Sequence, residues 1–236
     1  MWPVPTRRAA AAGWAEPLPA HIMAIPAPKI DSFTSHFFRA GEESRRLVVV
    51  LHGRGDSLEG FLWLPGAISL SRLNYLSLNA PLEALGGYAW YPLEPDPVPD
   101  ILRGRAKLLR LFAELEAQGW DSREIVLFGF SQGCVMATDF ALRWEKPLGG
   151  VIGVSGYIYF PDTLEAEIRP EAKEQPWLIT HGTHDPILPI ERTRSQVRRL
   201  KELGLRIDWL EVHKDHSMDP GAEVAAIRDW IMQRFP

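Results

Sequence analysis

The chain contains 236 residues, a length that favours a single domain. Hydrophobic residues make up 46% of it and charged residues 24%, which is typical of a folded globular protein. The formal net charge of −4, with basic residues spread along the sequence, argues against a nucleic-acid partner. A single cysteine, Cys134, excludes a disulfide-stabilised scaffold and a cysteine-rich metal site, and it fits a cytoplasmic location.

Residues 1–30 are predicted to form a disordered or loosely attached leader, and residues 31–236 a single domain. Arg7 and Arg8 precede an alanine-rich run at 9–15, in a loose resemblance to a signal peptide. Glycine and proline interrupt or follow that run, so a leader is favoured, and a cleaved signal peptide stays open as the alternative. No apolar run reaches the roughly 18 residues that a membrane-spanning helix needs, so integral membrane association is not expected.

Short β-branched or apolar runs alternate with longer amphipathic segments from residue 31 onward. Strands are predicted at 32–38, 46–51, 74–78, 124–130, 150–155, 177–181 and 205–212, and helices at 98–118, 132–144, 190–203 and 222–235. The first two strands are close enough in sequence to be predicted as a hairpin. The alternation predicts the α/β class, with a mostly parallel central sheet flanked by helices.

The pentapeptide Gly-Phe-Ser-Gln-Gly at 129–133 lies between the predicted strand 124–130 and a helix. Glycines on both sides of Ser131 allow the sharp turn that exposes a nucleophilic hydroxyl above a sheet. The backbone N–H of Gln132 then stands at a helix N-terminus, where it can donate to an oxyanion. A coincidental strand–helix turn is the alternative interpretation.

A serine nucleophile needs a base that is itself oriented by an acid. Asp185 follows the predicted strand 177–181, and His216 follows the predicted strand 205–212. His213 is a rival base, but it stands at the strand end, so His216 is preferred. Asp185 precedes a proline, and a simple turn-forming role remains its alternative.

Two further histidines, His181 and His184, flank Asp185 in sequence. They invite a metal-site interpretation, but acidic or cysteine ligands at suitable spacing are missing, so a structural role is favoured. Cys134 is predicted to be a small core residue. No metal and no cofactor are expected.

A second oxyanion donor is predicted in the glycine-rich sequence Leu-His-Gly-Arg-Gly-Asp at 51–56, where Arg54 offers its backbone N–H at the bend. A glycine-rich turn without a catalytic part is the alternative. A phosphate-binding loop is a weaker interpretation, because neither the lysine nor the spacing of that motif is present.

Taken together, these motifs and the segments at 89–91 and 181–189 resemble the phospholipase/carboxylesterase group of the α/β-hydrolase superfamily, which includes acyl-protein thioesterases. The resemblance covers roughly residues 46–236. It implies Ser131 as nucleophile, Asp185 and His216 as its relay, and the backbone amides of Arg54 and Gln132 as the oxyanion hole. It also implies an α/β-hydrolase fold, and the sequence between 155 and 177 is too short for a large cap domain.

Without a cap, the walls of an acyl groove are expected to come from loops. The apolar residues best placed in predicted loops are Phe61, Leu62, Trp63, Tyr88, Trp90 and Tyr91. Ordinary packing against the sheet is the alternative for each of them. Three of the six lie in the proline-rich segment 81–100, which is predicted to be an irregular loop.

The function expected from this sequence is that of a cofactor-free serine esterase that cleaves carboxylic esters through an acyl-enzyme intermediate. Its partner is then a small-molecule or lipid-like acyl ester. An acyl-protein thioesterase or a lysophospholipase is the alternative enzyme, because the same machinery attacks ester and thioester carbonyls. A hydrolase-fold module that binds a ligand without turnover is the alternative from another class.

Overall fold

A mostly parallel sheet organises the computed structural model, which describes residues 26–160 and 162–235. The strands are β1 (Ser35–Phe38), β2 (Leu47–Leu51), β3 (Asn74–Leu78), β4 (Leu82–Ala84), β5 (Gly87–Ala89), β6 (Ile125–Phe130), β7 (Gly150–Val154), β8 (Pro176–Gly182) and β9 (Arg206–Val212). The helices are α1 (Leu64–Ile68), α2 (Val98–Ala117), α3 (Gln132–Arg143), α4 (Leu164–Glu167), α5 (Glu171–Glu174), α6 (Ile190–Glu202) and α7 (Ala222–Arg234). Short 3₁₀ turns cover Leu58–Phe61 and Ser122–Glu124.

Within the described residues the main sheet has the strand order β1-β3-β2-β6-β7-β8-β9. β1 is antiparallel to β3, and every other neighbouring pair in this sheet is parallel. The α/β fold class predicted from the sequence is confirmed. Because the carboxyl ends of the parallel strands meet at one edge of the sheet, the loops that leave them also meet there.

The central strands are buried on both faces because helices cover both sides of the sheet. In β2, Leu47, Val49 and Leu51 belong to the apolar core on one face of the sheet, which also contains residues of α2, α3 and α6. Val48 and Val50 belong to the core on the other face, which also contains residues of α1 and α7. A run of five consecutive apolar residues therefore forms a strand with two core faces, as parallel strands between helix layers require.

The predicted hairpin between residues 32–38 and 46–51 is wrong. β1 pairs with β3 instead, and β3 lies between β1 and β2. The reason is burial: β2 is apolar on both faces and takes a central position, whereas β1 alternates half-buried and exposed residues and suits an edge. Proximity in sequence did not decide the pairing.

The other predicted strands agree with β3 and β6–β9, and the four predicted helices agree with α2, α3, α6 and α7, within two residues at each end. The predicted irregular segment 81–100 contains the hairpin β4–β5, which the sequence did not indicate. Its turn places Leu85 at a φ of 56° and Gly86 at 82°. A leucine at the first of these positions is unusual, so the common hairpin signature was missing.

Part of the predicted leader lies within the described residues, and residues 1–25 lie outside them. The backbone of Lys29 exchanges two hydrogen bonds with the side chain of Gln118, which follows α2. Ile30 packs against the core. No helix in the described part of the chain is long and apolar enough to cross a bilayer.

Candidate active site

Three loops at the carboxyl edge of the sheet bring Ser131, Asp185 and His216 together. His216 Nε2 lies 2.9 Å from Ser131 Oγ, and His216 Nδ1 lies 2.7 Å from Asp185 Oδ2. A carboxylate accepts, so Nδ1 carries the proton and Nε2 can accept from the serine hydroxyl. The arrangement is a continuous hydrogen-bonded chain from hydroxyl to imidazole to carboxylate.

Ser131 stands at the tight turn between β6 and α3 with φ 53° and ψ −117°, a conformation that L-residues rarely adopt. The glycines on either side are required by close backbone contacts. A Cβ on Gly129 would lie 2.2 Å from Gly133 O, and a Cβ on Gly133 would lie 2.1 Å from Leu51 O. The start of helix α3 therefore lies in close contact with the end of β2, and the glycine-rich loop follows that strand.

We expect Gly133→Ala to destabilise the protein strongly, because the new methyl group would overlap the backbone of Leu51 and this backbone cannot rotate away. The expected result is a melting temperature lower by many degrees, or aggregation, with ester turnover lost. Gly66→Ala is a matched control because a Cβ there meets nothing within 4 Å. Thermal unfolding of both variants tests this, and equal melting temperatures would contradict it.

Asp185 is held as an acceptor by the loop in which it lies. Its side chain is fully buried, and Oδ1 accepts hydrogen bonds from the backbone N–H groups of Ile187 (2.9 Å) and Leu188 (2.8 Å). Burial alone would raise the pKa of Asp185, but these bonds and the contact with His216 outweigh it and hold the pKa below its ordinary value. The carboxylate is therefore charged at neutral pH.

His181 lies beside the carboxylate and closes its loop. Its Nε2 donates to Leu188 O at 2.8 Å and lies 3.4 Å from Asp185 Oδ2. His184 and the rival base His213 are exposed and pack on each other, with ring centroids 4.2 Å apart. Among the described residues no cluster of three or more histidine, cysteine or acidic side chains could hold a metal ion.

His52 belongs to the glycine-rich motif at 51–56, but the sequence alone predicts no role for it. It is buried, its Nδ1 donates to Gly53 O at 2.6 Å, and its Nε2 accepts from Ala80 N–H at 3.0 Å. The imidazole thus ties the loop after β2 to the loop after β3. A histidine directly before a glycine-rich loop is the sequence signal that could have indicated this role.

Acid is expected to destabilise the fold through His52 and His181, because burial lowers both pKa values below the ordinary 6.5. Below pH 6.5 the unfolded chain then binds more protons than the folded chain, so the free energy of unfolding falls as the pH falls. Melting temperatures between about pH 7 and about pH 5 test this. The slope should be reduced in His181→Gln and kept in the exposed His184→Gln, and a flat wild-type curve would contradict the prediction.

The two residues predicted to donate to the oxyanion lie in segments that adjoin Ser131. Gln132 is the first residue of α3, whose first N–H groups have no acceptor within the helix. Arg54 lies in the loop after β2, and a Cβ on the adjacent Gly53 would lie 3.3 Å from Ser131 Cβ. The loop is anchored by Tyr88, whose backbone exchanges hydrogen bonds with Gly55 N–H and Asp56 O.

Three of the six residues predicted to line a groove are core residues instead. Phe61, Trp90 and Tyr91 are at most 3% exposed. Phe61 packs against Phe128 and Phe130 of β6. The Trp90 indole donates to His52 O at 2.8 Å. Burial against the sheet leaves these side chains no surface for an acyl chain.

The other three predicted residues keep exposed surface. Leu62 and Trp63 are each 40% exposed, and Tyr88 is half-buried. Two further apolar side chains, which the sequence did not indicate, lie beside the predicted catalytic loops. Leu85 is 74% exposed and would be within 3.3 Å of a Cβ on Gly55, and the Phe130 ring lies 5.3 Å from the His216 ring.

Cys134 is buried in the first turn of α3, as predicted for a core residue. Burial raises the pKa of its thiol to about 12, so it stays protonated and unreactive. Between β7 and β8, the described residues contain the short helices α4 and α5 and no larger insertion. The site is therefore not covered by a cap from this segment.

Comparison with known proteins gives concordant matches. The model of the phospholipase/carboxylesterase family matches residues 36–234. Acyl-protein thioesterase 1 of Emericella nidulans is 30% identical over 219 residues, which cover 80% of this chain and 90% of that protein. This chain superimposes on the crystal structure of esterase PE8 with a TM-score of 0.77 at 27% identity. The match covers 86% of this chain and 99% of the PE8 chain. A rice relative named a probable inactive carboxylesterase is 25% identical, in a match that covers 70% of this chain and 74% of the rice protein.

Proposed function

We propose that this chain, which belongs to the phospholipase/carboxylesterase family, is a serine hydrolase. It cleaves carboxylic esters through an acyl-enzyme intermediate. The observation that carries this proposal is the hydrogen-bonded chain from Ser131 Oγ through His216 to Asp185. A serine hydroxyl becomes a useful nucleophile when such a base accepts its proton. Ser131 is half-buried, and the described segment between β7 and β8 forms no cap, so an ester carbonyl can approach the hydroxyl.

In the first half-reaction, Ser131 Oγ bonds to the ester carbonyl carbon while its proton passes to His216 Nε2. The imidazolium is stabilised by the ionised Asp185, which also keeps the ring in the correct tautomer. The tetrahedral oxyanion is stabilised by the backbone N–H groups of Arg54 and Gln132. The C–O bond to the alcohol then breaks, and His216 gives its proton to the leaving oxygen.

In the second half-reaction, water takes the place of the alcohol. His216 accepts a proton from the water as its oxygen attacks the acyl carbon, and the same backbone N–H groups stabilise the second oxyanion. The acid leaves when the bond to Ser131 Oγ breaks and the serine recovers its proton. The reaction uses side chains and backbone amides of this chain and needs no cofactor.

Arg54 tests whether the oxyanion donor is a backbone group. Arg54→Ala keeps the N–H, so turnover of a small neutral ester should stay within about three-fold of wild type. Arg54→Pro removes the N–H and should lower kcat by about 10²- to 10³-fold, with a melting temperature close to that of Arg54→Ala. Equal activity of the two variants would contradict the backbone assignment.

An acyl-protein thioesterase is the second candidate, and it is favoured by the names of the curated relatives. The experiment is a series of p-nitrophenyl esters of increasing acyl length beside the matching acyl-coenzyme A thioesters and an S-acylated peptide. A higher kcat/KM on the short esters supports the carboxylesterase, and a preference for the S-acylated peptide supports the thioesterase. No turnover of any of them would leave a ligand-binding module and contradict both enzyme proposals.

A further inference from the structure

The loop that carries His216 contains a buried ion pair that the reaction scheme does not use. Lys214 and Glu223 have side chains only 4% and 0% exposed, and Lys214 Nζ lies 2.6 Å from each carboxylate oxygen of Glu223. The third ammonium proton is donated to Ser217 O at 2.8 Å. All three donors of the ammonium are therefore used, and one acceptor is the carbonyl of the residue directly after His216.

Glu223 extends these contacts to two further elements. Its Oε1 accepts from Thr180 Oγ1 at 2.6 Å, and Thr180 lies on β8, the strand that leads to Asp185. Its Oε2 accepts from Asp219 N–H at 3.0 Å, at the end of the His216 loop. One carboxylate in the first turn of α7 thus joins β8 to both sides of the loop.

Fold stability alone does not account for this pair. Removing two charges from water costs several kcal/mol per ion, and apolar residues of the same volume often serve stability equally well. Burial lowers the pKa of Lys214, while Glu223, Asp185 and Asp219 act in the opposite direction. The charge of Lys214 also reaches His181 on β8, so the pair lies within electrostatic range of the Asp185 loop.

We propose, building on the serine hydrolase mechanism above, that Lys214 and Glu223 are a positioning pair that fixes the 213–219 loop and keeps the His216 imidazole within hydrogen-bond distance of both Ser131 and Asp185. Neither residue touches the reacting atoms. Their effect is transmitted through the Ser217 carbonyl on one side of His216 and through the Lys214 backbone on the other. The Lys214 carbonyl accepts a hydrogen bond from the backbone N–H of His184 at 3.1 Å, and His184 directly precedes Asp185.

The test is the double variant Lys214→Met/Glu223→Gln, which removes both charges of the buried pair. The new side-chain amide at position 223 still offers an oxygen acceptor to Thr180 or Asp219. We expect kcat for p-nitrophenyl acetate to fall by about 10- to 100-fold, because a displacement of about 1 Å is enough for such a loss. KM should stay within about three-fold, since the pair does not contact substrate. The control is Lys146→Met/Glu116→Gln, the same substitutions in a solvent-exposed ion pair, with kcat within about two-fold of wild type.

A readout that does not depend on turnover is the proton resonance of His216 Nδ1–H, assigned by its loss in His216→Ala. We expect a strongly downfield signal in the wild type and in the control, and its loss or broadening in the Lys214/Glu223 variant. A folded double variant that keeps both the resonance and kcat would overturn the proposal. A wild type that shows this resonance pattern without any ester turnover would instead contradict the proposed function and leave the positioning role standing.

Should the double variant fail to fold, Thr180→Val removes one donor to Glu223 with little change in shape. We then expect kcat to fall by about three- to ten-fold, less than in the double variant, because Glu223 keeps its contacts with Lys214 and Asp219, together with a broadened His216 resonance. Unchanged kcat and an unchanged resonance in this variant would overturn the proposal.

Discussion

Ser131→Ala is expected to lower ester turnover by about 10⁴- to 10⁶-fold while the protein stays folded. Ser131 Oγ is the atom that His216 Nε2 contacts at 2.9 Å, so its removal leaves the base without a nucleophile to activate. The turn itself is unchanged, because alanine differs from serine only by the hydroxyl. Initial rates on p-nitrophenyl acetate and a melting curve measure both parts.

Ser155→Ala is the matched control for this experiment. Ser155 ends the neighbouring strand region with a similar positive φ of 49°, is buried, and its hydroxyl has no hydrogen-bond partner among the described residues. Turnover should stay within about three-fold of wild type, because removing an unpaired buried hydroxyl costs little. If pure Ser131→Ala kept more than about one hundredth of the wild-type rate, another nucleophile would have to be sought.

His216→Ala is expected to lower turnover by a similar factor, about 10⁴- to 10⁶-fold, because the hydroxyl loses its base and Asp185 loses the ring it orients. His213→Ala should stay within about three-fold of wild type, since that ring is exposed and packs on His184. Loss of activity in His213→Ala with retention in His216→Ala would contradict the choice of base.

Much of the fold could be predicted from local patterns. The sequence predicts β6 at 124–130 because an apolar run of strand length, rich in β-branched and aromatic residues, precedes a glycine-flanked turn. The turn at Ser131 was recognisable because only glycine fits at 129 and 133, so the geometric requirement is visible in the sequence. Ser131, Asp185 and His216 each follow a predicted parallel strand, so the sequence also indicated that their loops meet at the carboxyl edge of the sheet.

Other features depend on tertiary contacts that no local pattern shows. The edge position of β1 follows from competition among strands for the centre of the sheet. Trp90 and Tyr91 are apolar whether they line a groove or fill the core, so composition could not separate the two. Lys214 and Glu223 resemble surface residues in the sequence, and their burial becomes visible only when α7 packs beside the loop.

The most direct test of the proposed mechanism is mass spectrometry of the protein after reaction with a fluorophosphonate, which bonds to an activated serine with loss of fluoride. One adduct per chain is predicted, located by peptide mapping at Ser131. It should be absent in Ser131→Ala, strongly slowed in His216→Ala, and formed normally in His213→Ala and Ser155→Ala. No adduct on the folded wild type, or an adduct at another residue that persists in Ser131→Ala, would contradict the assignment of Ser131 as the nucleophile.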